Sequence, residues 1–209
     1  MYKRSFGWKI IMYMLLLMAF SVSVASPTVA ETSSCVFDSL VVSAPRGNLY
    51  RIDDSSSKVM FGVDTALKRV EGNFDKFSGG ILLSKEGQGV GYSAIVIYTD
   101  TLNTDSNMVK ALLKSEDFFA VDKHPNIVFV NDSFRWIDNN TATISGRLII
   151  RGITQQVVFD VILEDIANER IRLKASTTIN RADYNMDAIS SVVDDEVELV
   201  LYVEAQKYR

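Results

Sequence analysis

The sequence predicts an all-β fold with one or two short helices, arranged as a closed antiparallel barrel of about eight strands. Three observations carry this. Short β-branched and aromatic runs recur between Gly, Asn, Asp and Ser; the connections between them are short; and helices do not alternate with strands. A two-sheet sandwich is the alternative that the same pattern leaves open. A barrel of about eight strands has an interior that is either just filled by its own side chains or just wide enough for one ligand.

At 209 residues the chain is long enough for a single domain with a sizeable core. Residues 1–25 have the features of an export signal. Lys3, Arg4 and Lys9 give a positive start, Ile10 to Val24 is largely apolar, and Ser23-Val24-Ala25 supplies small residues before a cleavage point after Ala25. A second cleavage point follows Ala30, and an uncleaved N-terminal anchor is the competing reading, because Phe6 to Val24 is nearly long enough to span a thin bilayer. Either way the leader points to a periplasmic or secreted protein. Residues 26–48 mix Ser, Thr, Pro and short apolar pieces without a period, which predicts a flexible lead-in, and the barrel domain then runs over 49–209.

Within that domain, strands are predicted at Val59–Val63, Val70–Phe74, Gly80–Leu83 and Tyr92–Tyr98, with a glycine-rich hairpin at Lys85–Gly89. Thr104 to Lys114 changes period. Thr104 or Asp105 would cap a helix there, with Met108, Ala111 and Leu112 at helical spacing. Strands resume at Ile127–Trp136, Thr141–Ile150, Gln155–Leu163, Arg170–Ile179 and Glu196–Ala205, with Asp138-Asn139-Asn140 as a turn. In the last strand Val197, Leu199, Leu201, Val203 and Ala205 share one face, while Glu196, Glu198, Tyr202 and Glu204 share the other. Ile95-Val96-Ile97, and Val157-Val158-Phe159 followed by Val161-Ile162-Leu163, are apolar on both faces, so those strands are expected to bury both sides or to be covered on the outside by a helix or by a partner subunit, as in a homodimer.

Composition narrows the function classes. The whole chain carries 22 basic and 26 acidic residues; removal of Lys3, Arg4 and Lys9 with the leader leaves a balance of −7, the wrong sign for nucleic acid or an anionic membrane surface. One histidine, His124, and one cysteine, Cys35, exclude the common zinc sites built from several such ligands. The acidic pairs lack the spacing of a calcium loop, so no metal is expected. Ser115 or Ser133 with His124 is the only nucleophile arrangement to weigh, and no Gly-x-Ser-x-Gly elbow supports it. No catalytic residue is assigned. Arg151 and Arg181 are headgroup candidates, since arginine suits a phosphate at the mouth of an apolar cavity; the competing role is a structural ion pair, for instance Arg181 with Asp183 or Asp187.

A series of landmarks runs from Tyr50 to Lys207. It begins with Tyr50-Arg51-Ile52-Asp53, Ser57-Lys58-Val59-Met60-Phe61, and Gly72-Asn73-Phe74-Asp75-Lys76-Phe77-Ser78-Gly79-Gly80. It continues with Leu113 to Phe119, His124 to Phe129, Gly146-Arg147-Leu148-Ile149-Ile150-Arg151-Gly152-Ile153-Thr154, Ile179 to Tyr184 and Val193 to Val197. In this order they resemble the YceI-like family of bacterial periplasmic lipid-binding proteins. Departures exist: Ser56 stands where the family commonly has histidine, no histidine is found near Asp64 or Thr65, and Asn185 replaces a common glycine. Any headgroup contact that those histidines make in relatives is absent here.

The resemblance implies an extended lipocalin-like barrel, exported to the periplasm and without enzymatic activity, holding a polyisoprenoid or an isoprenoid-quinone-like lipid in its lumen. It also implies a looser link to stress responses and to membrane cytochromes of the b type. One parity on each strand gives the expected lumen wall: Phe61, Val63, Phe74, Ile81, Val96, Phe118, Phe129, Ile144, Leu148 and Phe159.

Overall fold

The computed structural model describes residues 47–84, 90–167 and 169–208. In chain order they form β1 (Gly47–Ile52), β2 (Lys58–Thr65), β3 (Val70–Phe74), β4 (Phe77–Ser84), β5 (Val90–Tyr98), β6 (Leu102–Thr104) and helix α1 (Asn107–Lys114). After these come β7 (Asn126–Trp136), β8 (Thr141–Ile150), β9 (Ile153–Ala167), β10 (Arg170–Asn180) and β11 (Val193–Lys207). All pairings are antiparallel. The sheet closes because β11 pairs with β10 along one edge and with both β1 and β2 along the other.

Ile52 lies opposite Ala205 and Lys58 opposite Tyr202, so β1 and β2 are two halves of one stave interrupted at 53–57. In the same way β4 on β1 and β3 on β2 form a second broken stave, and β6 continues β5. The result is a closed barrel of eight staves. Polar side chains hold the break in the first stave. Asp53 accepts from the Ser55 amide at 3.1 Å and the Ser55 hydroxyl at 2.6 Å. The hydrogen bond from the Ser55 hydroxyl keeps the Asp53 carboxyl below its usual pKa. Ser57 Oγ accepts from the Glu204 amide at 2.9 Å and donates to the Glu204 carbonyl at 3.2 Å, and the Asp53 amide donates to the same carbonyl at 2.9 Å, so Ser57 and Asp53 together satisfy β11 at the break. β9 and β11 are 15 residues each, which makes each about 50 Å long at the usual strand rise.

The expected elements are present, with informative differences. α1 begins at Asn107 and is capped by Ser106, whose hydroxyl accepts from the Val109 amide, in place of Thr104 or Asp105. Leu113 is its buried residue, and Met108 is 80% exposed. Ile95, Val96 and Ile97 are all buried, as their two-faced composition requires, whereas Val158 and Ile162 on the outer face of β9 are half exposed, with no helix among the described residues covering them. The Asp138 turn forms as read, its carboxylate accepting from the amides of Asn140 and Thr141. The predicted start of the domain, Leu49, falls inside β1. The leader, Cys35, nearly all of the lead-in and the Lys85–Gly89 hairpin lie outside the described residues.

Strand packing around Gly146 is tight. A Cβ there would press into the Val130 carbonyl and lie 2.8 Å from Asn131 Cα and from a Phe129 ring carbon, two of the three being on the neighbouring backbone. Gly146→Ala is therefore expected to destabilise the barrel by about 1–3 kcal/mol through overpacking. A urea titration of wild type and variant, followed by far-ultraviolet circular dichroism, measures the loss; equal midpoints would contradict it.

Candidate functional site

Inside the barrel lies a cavity of about 820 Å³, in the upper part of the roughly 300–1,000 Å³ typical of small-molecule sites. Alternation along each stave sends apolar side chains into it. On β11 these are Val197, Leu199, Leu201 and Val203, and on β10 Ile171, Leu173 and Ala175. Leu173, Val197, Leu199 and Leu201 face this interior yet are only half-buried, because the side chains opposite do not reach them. The barrel is hollow. Among the described residues, polar lining is confined to Tyr50, Thr65, Ser93 and Arg181; no carboxylate, histidine or cysteine lines the wall.

Aromatic side chains divide the cavity along its length. At the helix end Phe119 meets Phe74 edge-on with centroids 5.6 Å apart, and Phe61 lies 5.8 Å from Phe74. Midway, Phe129 and Phe159 are 5.0 Å apart, and at the far end Phe134 and Trp136 are also 5.0 Å apart. Edge-to-face pairs of this kind rigidify a wall without filling it.

The structure places Phe61, Val63, Phe74, Ile81, Phe118, Phe129, Ile144, Leu148 and Phe159 on the cavity wall. Val96 is not among them. It is fully buried, but Ile95 and Ile97 are the lining residues of its strand, so its parity is reversed. Phe134 and Trp136, absent from the expected wall, also line the cavity. A bulge between Asn131 and Ser133 shifts the register of β7, which turns even-numbered positions inward after odd-numbered Ile127 and Phe129. Asn131 marks this point: its side-chain oxygen accepts from the Ser93 amide at 2.5 Å, beyond the last β5–β7 pair, Ala94 with Val130.

Arg181 does not sit as a headgroup ligand would require. Arg181 is 3% exposed, and all of its N–H groups are occupied. Nε donates to Asp194 O at 3.0 Å; Nη1 donates to Ala188 O at 2.9 Å and to Met186 O; Nη2 donates to Val193 O at 3.0 Å and pairs with Asp195 at 3.0 Å. It pins the 186–195 segment across the end of the barrel, and its ionic partner is Asp195, not Asp183 or Asp187. Arg151 adopts φ 53° in the β8–β9 turn and donates to Asn185 O; it lies at the rim, off the cavity wall. Asn185 has φ 56°, the left-handed conformation that asparagine tolerates in place of glycine. His124 precedes Pro125, its carbonyl accepting from Thr99 Oγ1 at 2.8 Å, and Ser115 Oγ donates to Leu112 O. Neither lines the cavity, nor does Ser133. Among the described residues no cluster of His, Cys, Asp or Glu is arranged to hold a metal ion.

With this geometry in view, comparison with known proteins is decisive at one point: the YceI-like domain profile matches residues 50–205. The chain belongs to the YceI-like family. A UPF0312 protein of Pectobacterium carotovorum is 26% identical over 143 residues, 66% of this chain and 74% of that protein. One from Pseudomonas aeruginosa is 25% identical over 138 residues, 64% of this chain and 72% of its own length. Among solved structures, Burkholderia cenocepacia BcnA superposes with a TM-score of 0.70 at 21% identity, over 74% of this chain and 99% of its own. A polyisoprenoid-binding domain from Saccharophagus degradans, implicated in plant cell wall breakdown, gives 0.62 at 16% identity, over 76% of this chain and 98% of its own. At these identities the structures speak to the shared YceI-like barrel alone.

Two outcomes follow for the closing segment. Arg181→Met leaves several carbonyls and Asp195 without their donor and is expected to cost about 3 kcal/mol or more, while Arg151→Met changes stability little; paired urea titrations measure both. Tyr184 is fully buried with no hydrogen-bond partner for its hydroxyl, and burial, reinforced by the charge of Asp183, pushes its pKa up from 10.0 to about 12. The folded state thus favours the neutral phenol. Its contribution to stability is intact below pH 10.0 and falls as pH rises toward about 12. Tyr184→Phe should be at least as stable as wild type and lose that part of the alkaline decline; unchanged slopes of stability against pH in this window would contradict the assignment.

Proposed function

We propose that this YceI-like chain is a non-enzymatic carrier that holds a long apolar lipid, a polyisoprenoid or an isoprenoid-quinone-like molecule, in the lumen of its barrel. The observation that carries the reading is the hollow interior, where leucine and valine side chains face the cavity half-covered. A lipid tail would complete the core, each buried CH₂ contributing about 0.8 kcal/mol. A wall without carboxylate, histidine or cysteine among the described residues supports binding over turnover. The name of the Saccharophagus degradans neighbour supports the ligand class. Export by the 1–25 leader would place the carrier in the periplasm, where the family's link to stress fits a role in sequestering lipid. Arg151 at the rim is the remaining headgroup candidate, because Arg181 has no N–H to offer.

A second reading, an interaction partner of a b-type membrane cytochrome or a homodimer, draws on the outer face of β9, where Val158 is 52% and Ile162 49% exposed. It does not account for the cavity.

Protein purified without detergent, extracted with organic solvent and analysed by mass spectrometry, is expected to release a long-chain isoprenoid in near-stoichiometric amount. Leu199→Gln with Leu201→Gln sets two amides against the tail and should lower retained lipid by about tenfold or more, with circular dichroism unchanged. An empty extract, together with no binding of apolar probes, would sink the carrier reading.

A further inference from the structure

The helix end of the barrel carries exposed apolar side chains that run without interruption into the cavity. Leu67 at the β2–β3 turn is 96% exposed, Met108 on α1 is 80%, Ile189 and Val192 are 48% each and Leu112 is 40%. Leu67, Leu112, Ile189 and Val192 also line the cavity. Single exposed apolar residues are ordinary, but a ring of them around one opening marks an interaction surface.

These tips are held in place. Thr65 Oγ1 donates to Lys68 O at 2.6 Å and accepts from the amides of Leu67 and Lys68, which fixes the turn that presents Leu67. The Ala66 amide donates to Val192 O at 2.9 Å, tying that turn to the 189–193 turn. Lys68 Nζ pairs with Asp105 at 3.1 Å, tying it to the approach of α1 and hence to Met108. Ile189 adopts φ 53°, a left-handed conformation that a β-branched side chain enters only with strain. Glycine or asparagine would relieve that strain, yet a large apolar side chain stands there, half exposed, at the rim.

We propose that this mouth docks on the surface of a zwitterionic lipid bilayer, Leu67 and Met108 entering the interface while Leu112, Ile189 and Val192 bridge the acyl region to the lumen. The proposal rests on the lipid-carrier reading and names the partner from which the carrier loads. Three observations select a bilayer. A lipid tail passing from membrane to cavity would meet apolar side chains all the way, whereas a protein seated on the ring, or a second copy, would stopper the opening. The tips project separately, as a fluid interface accepts and a close-packed protein interface does not. The rim charges Lys68 and Asp105 neutralise each other, and the chain's net charge of −4 gives no attraction to anionic lipid.

The test compares full-length wild type, the double variant Leu67→Glu/Met108→Glu, and Val158→Glu, which alters an exposed apolar residue on the outer face of β9. All three carry the same N-terminal sequence, so differences report on the mouth. N-phenyl-1-naphthylamine, delivered from water, reads the cavity; a dansyl-labelled polyprenol, delivered from phosphatidylcholine vesicles, reads loading from a membrane. The naphthylamine affinity of Val158→Glu is expected to equal that of wild type; because Leu67 belongs to the cavity lining, transfer by the double variant is scaled by its own naphthylamine affinity. Transfer from vesicles should accelerate with vesicle concentration in wild type and in Val158→Glu, and slow by about tenfold or more in the double variant. Docking is overturned if the double variant loads at the wild-type rate, if Val158→Glu slows equally, or if the double variant changes oligomeric state, which would make the ring a contact between copies. Failure of wild type to bind the naphthylamine at all would instead remove the carrier reading, and this proposal with it.

Discussion

Among the described residues β11 is the one strand that pairs with three others, and the barrel depends on how its outer edge is shared. If β1 alone occupied that edge, the sheet would close as a short tube; if β2 alone did, β1 and β4 would be left outside it. Dividing the edge between them, with Ser57 bonding to both backbone groups of Glu204 at the join, lets the staves run on past the point where a single hairpin would end. Length is the consequence that matters. A small barrel is only as wide as its strand number permits, so extra room for a guest is gained along the axis.

Length creates a problem at the helix end, where the β11–β2 ladder is interrupted between Val193 and Val197. The chain meets it with a buried cation in place of more strand. Arg181 gathers carbonyls from Met186, Ala188, Val193 and Asp194, together with the carboxylate of Asp195, into one knot. A desolvated guanidinium is costly unless every donor is satisfied. Because each one is, the segment bearing Ile189 and Val192 is held at the rim while the space beneath it stays open. The same knot removes this arginine from ligand chemistry, so orientation of a bound molecule falls to the lumen's shape and aromatic pairs more than to a fixed charge.

Most of the architecture was legible because a wet outer face and a greasy inner face impose period two on a strand. β11 is the plainest case: Val197 to Ala205 alternate against three glutamates and a tyrosine, and the structure keeps that alternation. Where both faces are apolar the signal vanishes, which is why Val96 was assigned to the wrong side. Bulges are silent as well, since Asp132 reads like any polar residue on an outer face, yet it moves Phe134 and Trp136 into the cavity. β6, at three residues, is too short to show a period, and β1 lies where the lead-in composition masks its start. Arg181 stood out as either a headgroup ligand or a structural ion pair, but its partners come from a loop with no periodic pattern, and only folding shows that loop's carbonyls converging.

Asn131 has one more consequence. Around most of the circumference, adjacent staves are stitched by continuous ladders, and the girth of the tube is set by their number. Between β5 and β7 the stitching stops at Ala94 and Val130, with the Asn131 amide as its last fastening. Beyond it, Val90 to Tyr92 and Ser133 to Trp136 flank a seam with no mutual ladder. β9 and β10 likewise part beyond Asp160 and Ser176, so the tube has two unsewn lengths along which its bore can change without breaking a backbone pair, one of them at the end lined by Phe134 and Trp136.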